Sequence, residues 1–221
     1  MGLSSYYVLV KEIASELRTR YALNALLMFV VTTLSVIVFS LGSEHVPYEI
    51  YCGTLWVIIF FSAMSGLSRT FVTEEERGTT LLLQLITSSN SVLLGKLFYN
   101  VILNFAITLI TAIAYLILFN DFVVRTYSIF WLTLLLGSVG LASASTILAA
   151  IVAKANSKGT LFPVLAFPVL VPILLTAIKA TILSVEGGMF NEAFPDFQVL
   201  ISFTIVIIAV SFLLFDFVWK D

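Results

Sequence analysis

The sequence predicts an all-α integral membrane protein with six transmembrane helices, and three observations indicate this class. Hydrophobic residues make up 60% of the 221-residue chain, charged residues only 11%, and the mean hydropathy is +1.10. A soluble domain has about 45–50% apolar and about 25% charged residues. The chain also contains long apolar runs, and its Lys and Arg residues cluster on alternate connections between them. Most of the chain therefore has lipid as its solvent.

The apolar runs are long enough to cross a bilayer as helices. A span needs about 20 apolar residues to cross ~30 Å of hydrocarbon, and such runs form helices because open strands would leave backbone groups without partners in lipid. The first run follows a mixed-charge segment, which is not the pattern of a signal peptide, so we expect it to remain as a span. Within a single domain covering residues 1–221, the predicted spans are 22–41, 48–67, 97–119, 127–152, 161–183 and 199–219.

The distribution of basic residues predicts the orientation of the spans. With the N-terminus inside, the cytoplasmic segments hold nine of the 11 Lys and Arg residues, and only Arg125 and Lys179 lie outside. Cytoplasmic loops carry such an excess of basic residues. We therefore expect both termini in the cytoplasm.

Residues 3–21 predict an amphipathic helix that lies in the membrane interface. Its apolar residues recur at helical spacing, and Lys, Glu, Ser and Arg occupy the opposite side. The alternative is a partly ordered tail. The apolar face consists of Leu3, Tyr6, Tyr7, Val10, Ile13, Ala14, Leu17 and Tyr21.

The cytoplasmic connection 69–96 combines an acidic stretch with a short leucine-rich run. The run after Gly78 is too short to span a membrane, so we predict a short helix with an apolar side. Such a surface on a loop needs headgroups or a partner protein to cover it. A solvated acidic connector would explain Glu74, Glu75 and Glu76 but not the leucines.

The spans contain three features of interest. Asn100, Asn104, Thr108 and Thr111 form a polar stripe on span three, which interhelical packing explains better than a substrate pathway. Span five contains three prolines that predict a bend, either structural or moving. The connection 184–197 reads as an outer hairpin that partly re-enters the interface. The helix-bend residues are Pro163, Pro168 and Pro172.

Several kinds of chemistry find no support in the sequence. Gly95-Lys96 lacks the upstream glycine and the following Ser or Thr of a phosphate-binding loop. A single Cys52 and a single His45 argue against a metal cluster, and we predict no metal site and no catalytic residue. The basic residues form no block, so we expect no nucleic-acid partner.

An interfacial N-terminal helix, six spans and an acidic-then-apolar loop together resemble the membrane subunits of ABC-2 type transporters. Three segments are similar to the CcmB family, the haem exporter permeases of cytochrome c maturation. They are residues 71–80 (FVTEEERGTT), 94–100 (LGKLFYN) and 162–172 (FPVLAFPVLVP). The proline-spaced segment is the most discriminating, and the resemblance covers essentially the whole chain.

This resemblance implies a permease subunit of a bacterial inner-membrane complex, with ATP bound by a partner and haem as the substrate of the complex. The implied partners are a CcmA-like ATPase, a CcmC-like haem-handling subunit with a tryptophan-rich loop and a small CcmD-like single-span subunit, with a periplasmic haem chaperone engaged indirectly. Alternatives are an ABC-2 permease for a lipid or drug, and a scaffolding membrane protein. The coupling helix after span two would dock on the ATPase through Glu74, Glu75, Glu76, Arg77, Gly78, Thr79, Leu82, Leu85 and Ile86.

Overall fold

The computed structural model describes residues 2–41, 46–76, 78–154 and 158–220, and these residues form nine α-helices. The helices are α1 Gly2–Thr19, α2 Tyr21–Leu41, α3 Tyr48–Leu67, α4 Val72–Glu76, α5 Thr80–Ile86, α6 Ser89–Leu118, α7 Tyr127–Ala153, α8 Lys158–Glu186 and α9 Phe190–Lys220.

Six of these helices, α2, α3, α6, α7, α8 and α9, are long and apolar enough to cross a membrane. The predicted number of spans is thus confirmed. The start of α4 and the end of α9 meet through Phe71 and Trp219, whose ring centroids are 6.0 Å apart. We call this side of the bundle, which also holds α1 and α5, the terminal side. The opposite side, with the connections after α2, α6 and α8, is the loop side.

Two helices begin earlier along the chain than predicted. Helix α6 begins at Ser89 instead of residue 97, because the polar residues 89–91 occupy the first helical turn, where Ser89 donates a hydrogen bond to Asp216 (2.7 Å). Helix α9 begins at Phe190 instead of residue 199, and α8 continues to Glu186. The hairpin predicted over 184–197 is therefore wrong, and only residues 187–189 connect the two helices.

Helix α7 lies at the centre of the bundle and is the most buried of the six spans. Its small residues allow neighbours to approach closely. A Cβ at Gly137 would lie 2.3 Å from the Trp56 ring, and one at Gly140 would lie 3.1 Å from the Thr204 hydroxyl. Trp56 donates to the Thr181 hydroxyl at 2.8 Å, which joins α3 to α8 across the same region.

The loop side is closed by an aromatic cluster, which we define as Tyr51, Tyr115, Phe119 and Phe122. The Tyr115 and Phe119 ring centroids are 4.3 Å apart, and those of Tyr115 and Phe122 are 5.2 Å apart. The Tyr115 hydroxyl donates to the Tyr51 carbonyl at 2.9 Å. All four side chains are buried, so this end of the bundle is a packed core.

Helix α8 runs without a break through its three prolines. Pro163, Pro168 and Pro172 all lie on its exposed side, while Ala166 and Leu170 face the core. The predicted prolines therefore face the surroundings of the bundle and not its interior. Their role as a bend stays a prediction.

Candidate functional site

The connection between α3 and α6 contains the two short helices α4 and α5, which we call the α4–α5 segment. Its start is held by Phe71, a buried ring that packs against Phe215 and Trp219 with centroids 5.5 and 6.0 Å apart. Gly78 separates the two helices with a φ of +65°, a conformation that glycine adopts without strain. A Cβ there would meet nothing within 4 Å, so the turn is open.

Helix α5 exposes a run of large apolar side chains. The exposed fractions are 72% for Leu81, 58% for Leu82, 86% for Leu85 and 70% for Ile86. On a seven-residue helix, Leu81 and Leu85 share one face, and Leu82 and Ile86 share the next. Of these, Leu81 was not among the residues singled out in the sequence. The predicted Leu82, Leu85 and Ile86 are thus available for a partner.

The rest of α5 is tied to the bundle at few points. The Gln84 side chain donates to the Trp219 carbonyl at the end of α9, and the partly buried Leu83 packs against the core. Thr79 lies just before the helix, and its backbone N–H donates to the Glu74 carbonyl at 3.1 Å. Helix α5 is therefore positioned by its two ends and leaves its apolar faces open.

The three glutamates of the segment differ in their surroundings. Glu76 is exposed, whereas Glu75 is partly buried and accepts a hydrogen bond from the Thr80 hydroxyl at 2.8 Å. Glu74 is buried and forms ion pairs inside the chain. Arg77 lies outside the described residues. No sequence pattern indicates that Glu74 faces inward, because its partners come from distant parts of the chain.

The partner of Glu74 is Lys96, whose side chain is fully buried (0% exposed). The Lys96 ammonium lies 2.9 Å from Glu74 Oε2 and 3.0 Å from Glu12 Oε1, and it donates to the Thr70 carbonyl at 2.7 Å. It also lies 4.8 Å from the centre of the Phe71 ring, at a cation–π distance. Desolvation of a charge is offset only by such complete pairing.

Lys11 completes this group, which we call the Lys96 cluster: Lys11, Glu12, Glu74 and Lys96. Lys11 contacts Glu74 and lies 3.2 Å from Glu12. Burial alone would lower the pKa of Lys11, but the charges of Glu12 and Glu74 outweigh it and raise this pKa above 10.5. Burial alone would raise the pKa of Glu12, but Lys96 and Lys11 lower it below 4.5. Both groups therefore stay charged at neutral pH.

Helix α1 reaches the cluster because it packs closely on α6. A Cβ at Gly95 would lie 2.6 Å from the Val8 side chain and 2.9 Å from the Ser5 carbonyl, so this glycine permits the contact. The packed face of α1 holds Ser5, Val8 and Glu12, which lie on the side predicted to be polar. Its apolar stripe points the opposite way, with Leu3, Tyr6, Tyr7, Val10 and Leu17 exposed.

The predicted polar stripe of α6 lies buried against α7. The Asn100 amide donates to the Thr146 hydroxyl at 2.8 Å and accepts from Thr70 at 2.9 Å. The Asn104 amide donates to the Ser138 carbonyl at 2.9 Å. The contacts of these two amides are those of interhelical packing. Thr108 and Thr111 are fully buried on the same helix, and their hydroxyls have no hydrogen-bond partner among the described residues.

A cavity of about 770 Å³ separates α5 from α1 and α2. Charged side chains, among them Lys11, Glu16 and Arg69, line one part, and apolar side chains such as Leu26 and Leu82 line another. Because this space is not filled by a packed core, α5 has room to shift relative to α2.

The structure gives no support for metal chemistry within its described residues, where no group of three His, Cys, Asp or Glu side chains could hold a metal ion. Cys52 is buried and free. His45 lies outside the described residues.

These features define a class of protein: a multi-pass membrane subunit of the permease type, with a short apolar helix exposed on the terminal side between its second and third spans. The family model described as CcmB protein matches residues 4–217, so the chain belongs to the CcmB family. No curated protein matches the chain in sequence. The family predicted from the three sequence segments is thus confirmed.

Membership of this family makes the chain a membrane permease component of the haem-export ABC transporter for cytochrome c maturation. Such a permease is not itself the ATPase, and the transporter system implies an ATPase partner. The family also favours haem over the alternative of a lipid or drug as the substrate of the complex.

Proposed function

We propose that this permease receives ATP-driven motion through α5, which docks on a CcmA-like ATPase at the cytoplasmic face of a bacterial inner membrane. The observation that carries this proposal is the exposure of Leu81, Leu82, Leu85 and Ile86 on one seven-residue helix. An isolated apolar surface of this kind marks a protein interaction site when it is not covered by its own chain.

The charge distribution supports this orientation. Among the described residues, the terminal side carries eight Lys and Arg residues and the loop side two, and such an excess is typical of cytoplasmic segments. The terminal side is therefore the cytoplasmic side, where the ATPase would bind. Among the glutamates predicted to meet basic residues of the ATPase, Glu76 is the exposed one. Glu75 and Glu74 instead hold the segment in place.

The bundle interior supports a role in transmitting motion. The Asn100 and Asn104 amides of α6 are hydrogen-bonded to α7, which supports a packing role for these two side chains. We infer that the subunit works with a CcmC-like haem-handling subunit and a CcmD-like small subunit, and that ATP hydrolysis drives haem export or the release of a haem-loaded periplasmic chaperone.

The proposal is tested by placing charge on the outer face of α5. We expect the double variant Leu81→Asp, Leu85→Asp to lose the ATPase on co-purification in mild detergent. Truncating a buried anchor typically costs about 2 kcal/mol or more, which corresponds to a loss of roughly 30-fold in affinity. The matched control is Ser88→Asp, which adds a carboxylate at an exposed position of the same connection.

Orientation is tested separately by thiol labelling. In a Cys52→Ser background, Leu85→Cys should react with a membrane-impermeant maleimide only after the inner membrane is opened. Labelling in intact spheroplasts, or full ATPase binding by the double aspartate variant, would contradict the proposal.

A further inference from the structure

The Lys96 cluster joins three separate parts of the chain at one ammonium group. Glu12 comes from α1, Glu74 from α4, and Lys96 itself from α6. The pair Lys96–Glu12 is separated by 84 positions along the chain. Each of the three elements therefore depends on the other two to neutralise its buried charge.

We propose that Lys96 is a positioning residue that fixes α4 to α1 and α6, so that a displacement of the α4–α5 segment by the ATPase moves all three elements as one body. This inference rests on the proposed function, because it assumes that α5 is the docked helix.

The burial of the Lys96 cluster supports movement of α1, α4 and α6 as one body. If α4 moved away from α6 alone, the fully buried Lys96 would lose Glu74 and the Thr70 carbonyl, and Glu74 would keep only Lys11. Leaving a buried charge without its partner is strongly unfavourable. Movement of α4 together with α6 and α1 keeps every ion pair intact.

The turn between α4 and α5 is braced, so that motion of α5 reaches α4. The Thr80 hydroxyl donates to Glu75 at 2.8 Å, and the backbone N–H groups of Gly78 and Thr79 donate to the Glu75 and Glu74 carbonyls at 3.2 and 3.1 Å. These bonds tie the first turn of α5 to α4. By contrast, α5 faces the cavity on its α2 side and meets little resistance there.

Helix α1 follows α6 because the two are in close contact. Gly95 directly precedes Lys96 and lies under Val8 and the Ser5 carbonyl. The Gly95–Val8 contact and the Lys96–Glu12 ion pair therefore lie on successive turns of α1 in the same α1–α6 interface. The exposed apolar stripe of α1 would then carry the movement into its surroundings.

The first test uses the assembled complex and the variant Lys96→Met, which keeps the apolar length of the side chain and removes the charge. We expect the ATPase to co-purify as with the native chain, while the yield of holo-cytochrome c falls at least tenfold. The matched control, Lys154→Met, removes an exposed lysine at the end of α7, and it should leave both readouts unchanged.

The second test holds even if Lys96→Met fails to fold. Spin labels at Tyr7→Cys on α1, which is exposed, and at Thr73→Cys on α4, which is partly exposed, report their mutual distance in a Cys52→Ser chain. We expect this distance to be the same without nucleotide and with trapped ATP, while each label moves relative to Val123→Cys on the loop side.

Three results decide the inference. A distance between the labels at positions 7 and 73 that changes with nucleotide would overturn it, and so would full cytochrome c yield from a stable Lys96→Met complex. If the ATPase does not co-purify with the native chain, the proposed docking of α5 fails. This outcome is distinguishable from a failure of the Lys96 inference, because it is seen with the native chain alone.

Discussion

The two ends of the bundle are built from different interactions. The loop side is closed by the aromatic cluster of Tyr51, Tyr115, Phe119 and Phe122, with short connections between helices. The terminal side contains the Lys96 cluster, a cavity of about 770 Å³ and a helix whose leucines are exposed. Close-packed rings resist displacement in every direction, whereas ion pairs hold particular elements together and leave the rest of this side free to move.

The comparison indicates where a force from outside would act. At the terminal side it reaches a segment with space beside it, and at the loop side it meets the buried aromatic cluster. We therefore infer that the loop side acts as the fixed end of the bundle and the terminal side as its mobile end.

The largest expected effect is at the loop side, in Tyr115→Ala. Removing this fully buried ring leaves a cavity and removes the hydrogen bond to the Tyr51 carbonyl, so we expect a loss of about 3–5 kcal/mol in stability. Thermal unfolding of the purified subunit in detergent measures it. Tyr127→Ala, at an exposed tyrosine, is the control and should change stability little. Equal unfolding temperatures for the two variants would show that the aromatic cluster does not hold this end.

A smaller effect is expected at the terminal side from Gly95→Ala. The added methyl group would overlap the Val8 side chain and the Ser5 carbonyl, and because one of these is backbone, α1 must shift away from α6. Overpacking of this kind costs about 1–3 kcal/mol. Gly53→Ala adds the same methyl group where nothing lies within 4 Å and serves as the control.

Proteolysis of α1 reports this shift, since a loosened N-terminal helix is cut sooner. We expect the protease to cut α1 of Gly95→Ala faster than α1 of the native chain, and to cut Gly53→Ala at the native rate. If Gly95→Ala is cut no faster than Gly53→Ala, the α1–α6 contact is not tight.

The sequence predicts the spans well because their signal is long and repeated. A run of about 20 apolar residues has few other interpretations, and six such runs correspond to the six spans of the structure. The exposed helix α5 was predicted for a similar reason, since a short leucine run after Gly78 has no span to belong to. The resemblance to the CcmB family added the expectation of a docking role.

The start of α9 was missed because polar residues were taken as evidence of a loop. In the structure they occupy the first turns of the helix, where the Glu192 carboxylate accepts a hydrogen bond from the Met189 N–H at 2.9 Å. This is the return half of a capping box. The N-cap residue is Met189 and not the Ser or Thr of a complete capping box, so the sequence holds only half of this signal.

The Lys96 cluster was missed for a different reason. Lys96 was assigned to the end of a cytoplasmic connection because it precedes the predicted span, and Glu74 was assigned to a surface that meets the ATPase. Their pairing with α1 joins residues far apart in the chain, and helical periodicity carries no information on such contacts. The burial of the polar side of α1 has the same cause, since its partner is the Gly95-Lys96 pair of α6.

The smallest effect expected is a pH-dependent one, and it distinguishes the two ends chemically. Glu12 faces Lys11 on its own helix, Glu74 on α4, and Lys96 and Tyr99 on α6. Because its pKa is lowered below 4.5 in the folded state, the carboxylate stabilises the fold fully above pH 4.5, and this stabilisation is lost as the pH falls through the lowered pKa.

We expect Glu12→Gln to cost about 1 kcal/mol in stability at pH 7, and we expect the difference in stability from the native chain to shrink below pH 4.5. Unfolding temperatures from pH 7 to 3.5 measure it, with Glu76→Gln, at an exposed glutamate, as the control substitution. The penalty of Tyr115→Ala, which involves no carboxylate, should stay constant over the same range, and a Glu12→Gln difference that is equally constant would mean that its charge does not hold the terminal side together.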